Sequence, residues 1–500
     1  MEEIIGIIDI GSNSMRLLLA ELCDDKSFRI LNELKEYVRL GHGLDENEIL
    51  SKDKMNFALL TLKTYKKICS AFNVGKITVV ATEAVRRAKN QKQFLDLIKA
   101  ELQLDITVLS GEEEAYYDYF STINSMDIGD GLIMDIGGAS CELILVKNRK
   151  LVHCVSLPFG AITLTDHFKL TDCLDKNTEQ ELKQYISNYF DALDWLKDAK
   201  GMNLIGIGGS IRNLSKIHKK RLNYPLNLIH NYQISGDDVI SIYDEIKSKN
   251  SIQRKKIKGL SSDRADIIVG SSAAISVLIE YCSINNVVIS RNGIREGLLF
   301  SHICKNNKPL DSALDFSLYS ILKNQNSNLS HAEHIHFLLS RLYKEFKNHI
   351  NTCYKLDNII KTSALLHDIG VNITYYFHNK HSFYMILNSQ INGLTHRELV
   401  MSAFIAASHR DDNIENFNEY AEIISKEDME TIKKLGILLR IAENLDKSMT
   451  GLVKNLIVTL DETTAIIKTI SEDTPTIEIK EAMAAASDFK KAFGMKLYIV

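Results

Sequence analysis

The chain is poor in the residues that interrupt or staple structure. Only 4 of its 500 residues are proline. That is too few for Pro-rich linkers, so directly joined, helix-rich domains are expected. Its cysteines, Cys23, Cys69, Cys141, Cys154, Cys173, Cys282, Cys304 and Cys353, show no C-x-x-C spacing. This argues against a zinc cage or a disulfide frame and reads as reduced thiols in a cytoplasmic protein. Net charge is small, with 60 basic against 64 acidic residues and a sum of −4. Bulk charge therefore does not advertise a polyanion ligand, and any such site must be local. Long apolar runs are missing too. The stretch Ile267–Ile279 is interrupted by Gly270-Ser271-Ser272 and falls short of the ~20 residues a bilayer span needs. The opening Met1-Glu2-Glu3-Ile4 has no positive segment, so a secretory signal is not expected, nor is membrane association. What is present is ordinary for a soluble fold: 45% hydrophobic and 25% charged residues. At roughly 100–200 residues per domain, the length suits three or four domains.

One pattern occurs twice. The apolar run Ile4–Ile10 leads into Gly11-Ser12-Asn13-Ser14 and then Leu17-Leu18-Leu19. Later, Gly131–Ile136 leads into Gly137-Gly138-Ala139-Ser140 and then Leu143–Val146. Each copy reads as a β-hairpin with an aspartate, Asp9 or Asp135, at the end of its first strand. The repetition implies two halves built on one plan and facing each other across a cleft. A third small-residue turn, Gly206-Ile207-Gly208-Gly209-Ser210, follows another apolar strand. Strands at Ile77–Val80 and Ile106–Leu109 and helices at Asp53–Phe72 and Gln91–Leu102 continue the α/β alternation to about residue 300. From about 313 to 452 the spacing is helical throughout. Leu456–Leu460, Ala465–Ile470, Thr476–Ile479 and Lys496–Val500 then read as strands, with a helix at Glu481–Phe493. The expected division is 1–126, a first α/β lobe; 127–300, a second; 310–453, a helical domain; and 454–500, a small α+β domain.

Glycine and serine turns let backbone N–H groups converge on phosphate oxygens, although tight hairpins also favour Gly, Ser and Asn for steric reasons alone. Ser110 and Glu113 fit a helix capping box, which leaves Glu114 in the first turn without a local partner. A carboxylate there could take a proton from a water placed for in-line attack on phosphorus, or be one more first-turn acid. Asp135 and Glu142 flank the second hairpin turn, where two carboxylates could hold Mg²⁺. Asp9 is the matching residue of the first hairpin, with Arg16 as its alternative partner. Arg86 sits at a strand-to-helix junction. Two basic runs, Lys216/Lys219/Lys220/Arg221 and Arg254/Lys255/Lys256/Lys258, are either solvated faces or a polyanion track.

Residues 1–300 resemble the exopolyphosphatase/guanosine-pentaphosphate phosphohydrolase (Ppx/GppA) family of the actin-like ATPase superfamily. The resemblance rests on D-I-G-S-N-S-M-R (9–16), A-T-E-A-V-R-R-A-K-N (81–90), S-G-E-E-E-A (110–115), D-I-G-G-A-S-C-E (135–142), L-P-F-G-A (157–161), G-I-G-G-S (206–210), R-A-D (264–266) and S-R-N-G-I-R-E-G (290–297). It implies two actin-like, ribonuclease H-like lobes, the first completed by a helix near 295–307. It also implies Glu114 as catalytic base and a Mg²⁺ or Mn²⁺ site at Asp135, Glu142 and Asp9. Phosphate would be held by Ser12, Asn13, Ser14, Arg16, Arg86, Gly137, Gly138, Ser140, Gly208, Gly209 and Ser210. Ala139 and Cys141 depart from the family pattern D-I-G-G-G-S-T-E. Ala139 resists positive φ, and Cys141 replaces a hydroxyl donor with a weak thiol.

The helical segment resembles an HD domain, carried by the long members of the family, through H-A-E-H-I (331–335), A-L-L-H-D-I-G (364–370), F-H-N-K-H-S-F-Y (377–384), S-H-R (408–410) and L-L-R-I-A-E-N-L-D (438–446). The resemblance implies a second divalent metal at His331, His367, Asp368 and a distal aspartate. The chain has Glu443 there, with Asp446 one turn on. A metal-free helical scaffold is the first expectation, with His378, His381, His409 and Arg410 lining a polar seam. The implied activity is release of terminal phosphate from inorganic polyphosphate. The alternatives are guanosine pentaphosphate as substrate, or a binding protein without turnover. A homodimer fits the family, and no nucleic-acid partner is expected.

Overall fold

In the computed structural model the described residues are 3–23, 27–42, 44, 48–350, 352, 354–410 and 417–500. Cys353 lies outside them; the other seven cysteines are free thiols. The chain forms two units: 1–224 with 229–313, and 225–228 with 314–500.

The first unit contains two sheets. β1 (Glu3–Ile10), β2 (Met15–Leu22), β3 (Phe28–Glu36), β4 (Lys76–Ala81) and β5 (Ile106–Val108) lie in the order β3-β2-β1-β4-β5. β6 (Gly131–Ile136), β7 (Cys141–Lys147), β8 (Lys150–Leu157), β9 (Leu204–Ile207), β10 (Tyr232–Ser235) and β11 (Asn286–Ile289) lie in the order β10-β11-β9-β6-β7-β8. Both sheets begin with an antiparallel meander of three strands and add a parallel strand beside the first, β4 beside β1 and β9 beside β6. The repeated sentence in the sequence is therefore a repeated topology. Even the turns match: Gly11 N–H donates to Ser14 O at 3.2 Å, and Gly137 N–H donates to Ser140 O at 3.0 Å. The inner strands are apolar on both faces because helices cover them. Two separate cores result, one around Ile8, Leu17, Val79 and Phe94, the other around Leu132, Leu143, Leu204 and Ile275.

Helix α1 (Lys52–Ala71) starts at Ser51, whose side chain accepts from Lys54 N–H. α2 (Gln91–Leu102) follows β4. α3 (Gly111–Ile123) carries the Ser110/Glu113 capping box in full. α4 (Gly209–Arg221) leaves the end of β9, and α5 (Ile268–Cys282) is buried along almost its whole length. α6 (Ile294–Ile303) returns to pack on β1 and α3. Their approach is so close that a Cβ on Gly297 would lie 2.2 Å from Tyr117 O.

The second unit is helical from Ala313 to Asn444, then closes with β12 (Val453–Leu460), β13 (Thr464–Ser471) and β14 (Lys496–Ile499). Here one expectation fails. Thr476–Ile479 is not a strand but the start of a helix, Thr476–Met483, followed by a second at Ala486–Phe493. β14 pairs parallel to β13, and a parallel neighbour requires a crossover, which these two helices supply. Pro475 immediately before the first helix also suits a helix start better than a strand. Among the described residues no helix is long and apolar enough to cross a membrane.

Candidate active site

The two hairpin turns of the first unit face each other across a cleft of about 790 Å³. The approach is close: a Cβ on Gly138 would sit 3.1 Å from Ser12 Cβ and 3.4 Å from Asn13 N. Ser12, Asn13, Ser14, Gly137, Gly138, Ser140, Gly208 and Gly209 all line this cleft, together with Asp9, Arg16, Glu114, Asp135 and Glu142. Residues dispersed over 200 positions of sequence are thus brought to one place by the strand ends of both sheets.

One wall is acidic. Asp135 and Glu142 are register partners on β6 and β7, and Ser156 Oγ donates to Glu142 Oε1 at 2.7 Å. Glu114 projects from the first turn of α3, 3% exposed. It pairs with Arg86, which also pairs with Glu83 and donates to Leu109 O at 2.6 Å. Asp118, one turn beyond Glu114, is fully buried, and neither of its carboxyl oxygens has a hydrogen-bond donor among the described residues. Asp9 Oδ1 is in the same position. Burial, and then the neighbouring charge of Glu142, pushes Glu114 up to about 9 against the pull of Arg86. Burial and then Asp135 push Glu142 up to about 8. Asp9 is raised by burial against the pull of Arg16 and Arg295, and Asp118 by burial and then by Asp135, Glu142 and Glu114. Five carboxyl groups this close cannot all ionise unless a cation joins them. The residues therefore fit a divalent ion. Among the described residues no three of these acids converge tightly enough to ligate one ion together. A Mg²⁺ ion here would be held by one or two carboxylates.

The same lining is also basic, with Arg16, Arg212, Arg264, Arg291 and Arg295. Burial and then Arg16 depress both Arg212 and Arg264. Lys35, register partner of Arg16 on β3, is lowered to about 7 by burial and then by Arg16 and Arg264. Cations crowded in this way gain from an anion between them. Arg212 is fixed by Nε–H donation to Gly208 O at 2.7 Å, and Arg264 lies against Gly209, where a Cβ would meet Nη2 at 2.1 Å. Asp266 of the same R-A-D triplet pairs with Arg39 of the other lobe at 2.9 Å.

Several sequence expectations are corrected. Arg86 does not line the cleft; it holds Glu114. Ser210 is fully buried and its Oγ accepts from Arg264 Nη1 at 3.4 Å, so it stands behind the wall. The two basic runs lie outside the cleft lining as well. Arg254 is completely buried and donates to Leu170 O, Asp172 O and Ile246 O at 2.9, 2.6 and 3.1 Å. Arg221 pairs with Glu245, and Lys216, Lys220, Lys255, Lys256 and Lys258 are exposed. Ala139 has no positive φ; the tight approach falls on Gly160, whose Cβ would lie 2.6 Å from Gly138 C. Cys141 is buried in β7, and burial followed by the charge of Glu142 drives its thiol well upward, so it is no nucleophile. Sequence reasoning missed Asp118, Arg212, Arg264, Arg291 and Arg295. Asp118 had a signal in its i+4 spacing from Glu114, and Arg264 and Arg295 sat inside quoted motifs.

In the second unit His331, His367, Asp368 and Glu443 come together. Asp446 does not substitute for Glu443: it stands 2.7 Å from His331 Nδ1, on the far side of that ring.

A two-lobed fold whose paired glycine hairpins enclose buried carboxylates together with five arginines defines a phosphate-handling protein of the actin-like class. Residues 21–306 match the Ppx/GppA phosphatase family and residues 316–478 match its domain III. The chain belongs to the Ppx/GppA phosphatase family. It is 25% identical to a guanosine-5′-triphosphate,3′-diphosphate pyrophosphatase of Pseudoalteromonas atlantica over 425 residues, 82% of this chain and 80% of that one. Among solved structures, the Aquifex aeolicus family member is 28% identical with a TM-score of 0.54, covering 62% of this chain and all of its own. An exopolyphosphatase from Cytophaga hutchinsonii is 25% identical with a TM-score of 0.57, covering 60% of this chain and 98% of its own.

Proposed function

We propose that the chain is a phosphoanhydride hydrolase, an exopolyphosphatase that releases orthophosphate from the end of inorganic polyphosphate. The observation that carries this reading is the convergence of Glu114 and its acid neighbours with five arginines in one cleft lined by the two glycine hairpins. The arginines and turn N–H groups hold consecutive phosphates and orient the terminal one. Glu114 accepts a proton from the attacking water, with Arg86 fixing the carboxylate, as the terminal P–O bond opens in line. Asp135 and Glu142 are the residues that would hold Mg²⁺ or Mn²⁺, with Asp9 beside them, and the ion when bound would neutralise charge on the transferred phosphoryl.

Guanosine pentaphosphate is the second reading, favoured by the relative matched along 425 residues; it presents the same terminal anhydride. Phosphate release from long polyphosphate and from that nucleotide, run side by side with Mg²⁺, decides between them. Glu114→Gln should lower release by about 10²–10⁴-fold while binding persists. Undiminished turnover sinks the assignment of the base, and tight binding without release by the unaltered protein replaces the hydrolase by a binding protein.

A further inference from the structure

Two residues outside the cleft lining, Glu33 and Arg39, reach from the first lobe to arginines inside it or to the segment that carries one. Arg39 lies just beyond β3 at φ +50°, a conformation that a non-glycine residue keeps only when its surroundings fix it. Its backbone N–H donates to Asn13 O at 2.9 Å, and Gly41 N–H donates to Ser12 O at 2.9 Å, so this segment is bonded directly to the first hairpin turn. The Arg39 side chain then crosses to the second lobe. Nη1 donates to Asp266 Oδ2 at 2.9 Å and Nη2 to Asp263 O at 3.2 Å. Asp266 Oδ1 is buried with no hydrogen-bond donor among the described residues, so the charge of Asp266 is met through its other oxygen, by Arg39.

What this contact holds is the residue between its two acceptors. Asp263 to Asp266 form one tight turn, with Arg264 N–H donating to Ser261 O at 3.0 Å and Ile267 N–H to Arg264 O at 3.1 Å. Arg264 is 7% exposed and lines the cleft. No carboxylate pairs with its guanidinium among the described residues, and the 3.4 Å from Nη1 to Ser210 Oγ is long for a hydrogen bond. Its position is therefore set by its backbone. That backbone is pinned within the second lobe where Ser261 N–H donates to Asn213 Oδ1 at 2.8 Å, and from the first lobe by Arg39. Glu33 on β3 makes the comparable contact with the remaining arginines, 3.0 Å from Oε1 to Arg291 Nη2 and 3.9 Å from Oε2 to Arg295 Nη1.

Stability does not account for such a pair. The side chains of Arg39 and Asp266 are 30% and 35% exposed, and an ion pair open to water to that extent adds little to folding. Geometry is what the fork supplies: a planar guanidinium bonded to a carboxylate and a carbonyl at once fixes both the place and the angle of the segment. A phosphate bound by Arg264 gains most from a guanidinium already in place. Bulk electrostatics makes the reverse prediction for one partner, since removing the carboxylate of Asp266 from beside the cleft should favour a polyanion. The two accounts can therefore be told apart.

We propose, on the reading that the cleft binds polyphosphate, that Arg39 and Asp266 are positioning residues: together they tie the first hairpin turn to the Arg264 segment and set Arg264 for the phosphate chain. The test uses full-length protein carrying Glu114→Gln, with Mg²⁺, so that long polyphosphate stays intact during calorimetric titration. Arg39→Met and Asp266→Asn should each weaken binding about tenfold despite their opposite changes of charge, and both together no more than either alone. In an Arg264→Met background neither should alter affinity by more than about twofold. Arg39→Lys, which keeps the charge without the planar fork, should fall between Arg39→Met and the parent. Melting temperatures should stay within about 2 °C of the parent. Lys147→Met breaks a surface pair of the same 2.9 Å length inside the second lobe and should bind as the parent does. Asp266→Asn binding as tightly as the parent, or more tightly, overturns the positioning role, as does an undiminished effect of Arg39→Met when Arg264 is already gone. Parent affinity in Arg39→Lys overturns it too, whatever the stability of the other variants. No binding by the parent removes the polyphosphate reading of the cleft, and this role with it.

Discussion

Gly208 joins β9 to α4 and lies against the Asp135 side chain. Its φ of +94° and ψ of 173° place it in a region essentially confined to glycine, where another residue costs about 1–3 kcal/mol. In Gly208→Ala the new Cβ would also lie 2.5 Å from Asp135 Oδ1 and 3.0 Å from Ile136 O. Neither atom yields cheaply, since one is backbone and the other is hemmed in by the buried cleft wall. Gly201 is the built-in comparison: it has φ +76° with nothing within 4 Å of its Cβ position. Gly201→Ala therefore reports conformational strain alone, about 1 kcal/mol. Gly208→Ala should lose about 2 kcal/mol more, or roughly 4 °C in the calorimetric melting of the first unit. Its half-saturating Mg²⁺ concentration for phosphate release should rise about tenfold as Asp135 is pushed aside, while Gly201→Ala keeps that of the unaltered protein. If the two variants melt within a degree of each other and share one Mg²⁺ dependence, the contact between this turn and the acid wall does not position the cation.

Asp118→Asn removes one buried carboxyl from the acid wall; the Mg²⁺-induced rise in melting temperature should shrink while the cation-free melting temperature holds or increases, and an unaltered rise excludes Asp118 from cation binding. Arg254→Met strands the carbonyls of Leu170, Asp172 and Ile246 and should cost about 3–5 kcal/mol in urea unfolding with polyphosphate affinity intact. Weaker binding at unchanged stability would restore the basic run to the substrate path. His230 is held at about 4 by burial foremost, below its ordinary 6.5. The unfolded chain therefore binds the proton first, and stability falls as pH drops from about 6.5 to 4, by about 3 kcal/mol in all. His230→Gln should flatten that slope in urea titrations at pH 7 and 4.5, and an equal slope in both proteins assigns the acid sensitivity elsewhere.

Periodicity and turn chemistry carried the fold a long way because the repeated unit is local. A strand, a Gly-rich turn and a strand are contiguous, so both hairpins and the Ser110/Glu113 cap were legible residue by residue. Thr476–Ile479 misled for the opposite reason. Its alternation is genuine, but the parallel pairing of β13 with β14, which demands a helix between them, is not written in any short window. The cleft divides in the same way. Small residues on the turns and Arg16 on β2 were readable, whereas the other arginines of the cleft come from α4, from the loop before α5, and from the approach to α6 and its first turn, which only the tertiary fold brings together. Clustered lysines and arginines drew attention by number, yet Arg254 is an internal strut and Arg86 a clamp on Glu114.

Arginines gathered in the cleft also make a net of −4 compatible with the proposed polyanion substrate. With the carboxylates fully ionised, a terminal phosphate approaching Glu114 would meet Asp9, Asp135 and Glu142 as well, and the five arginines would be shared between them and the phosphate. With the acid wall protonated, the repulsion is gone but Glu114 cannot accept a proton. The two requirements, an ionised base and a tolerated anion, are met together only when a divalent cation shares the acid wall. On the proposed function, the raised carboxyl groups of the cleft follow from the cation they would share. Cation and substrate must bind with mutual support: each lowers the electrostatic cost of the other, so polyphosphate affinity should rise with Mg²⁺, and Mg²⁺ affinity with polyphosphate, by the same factor.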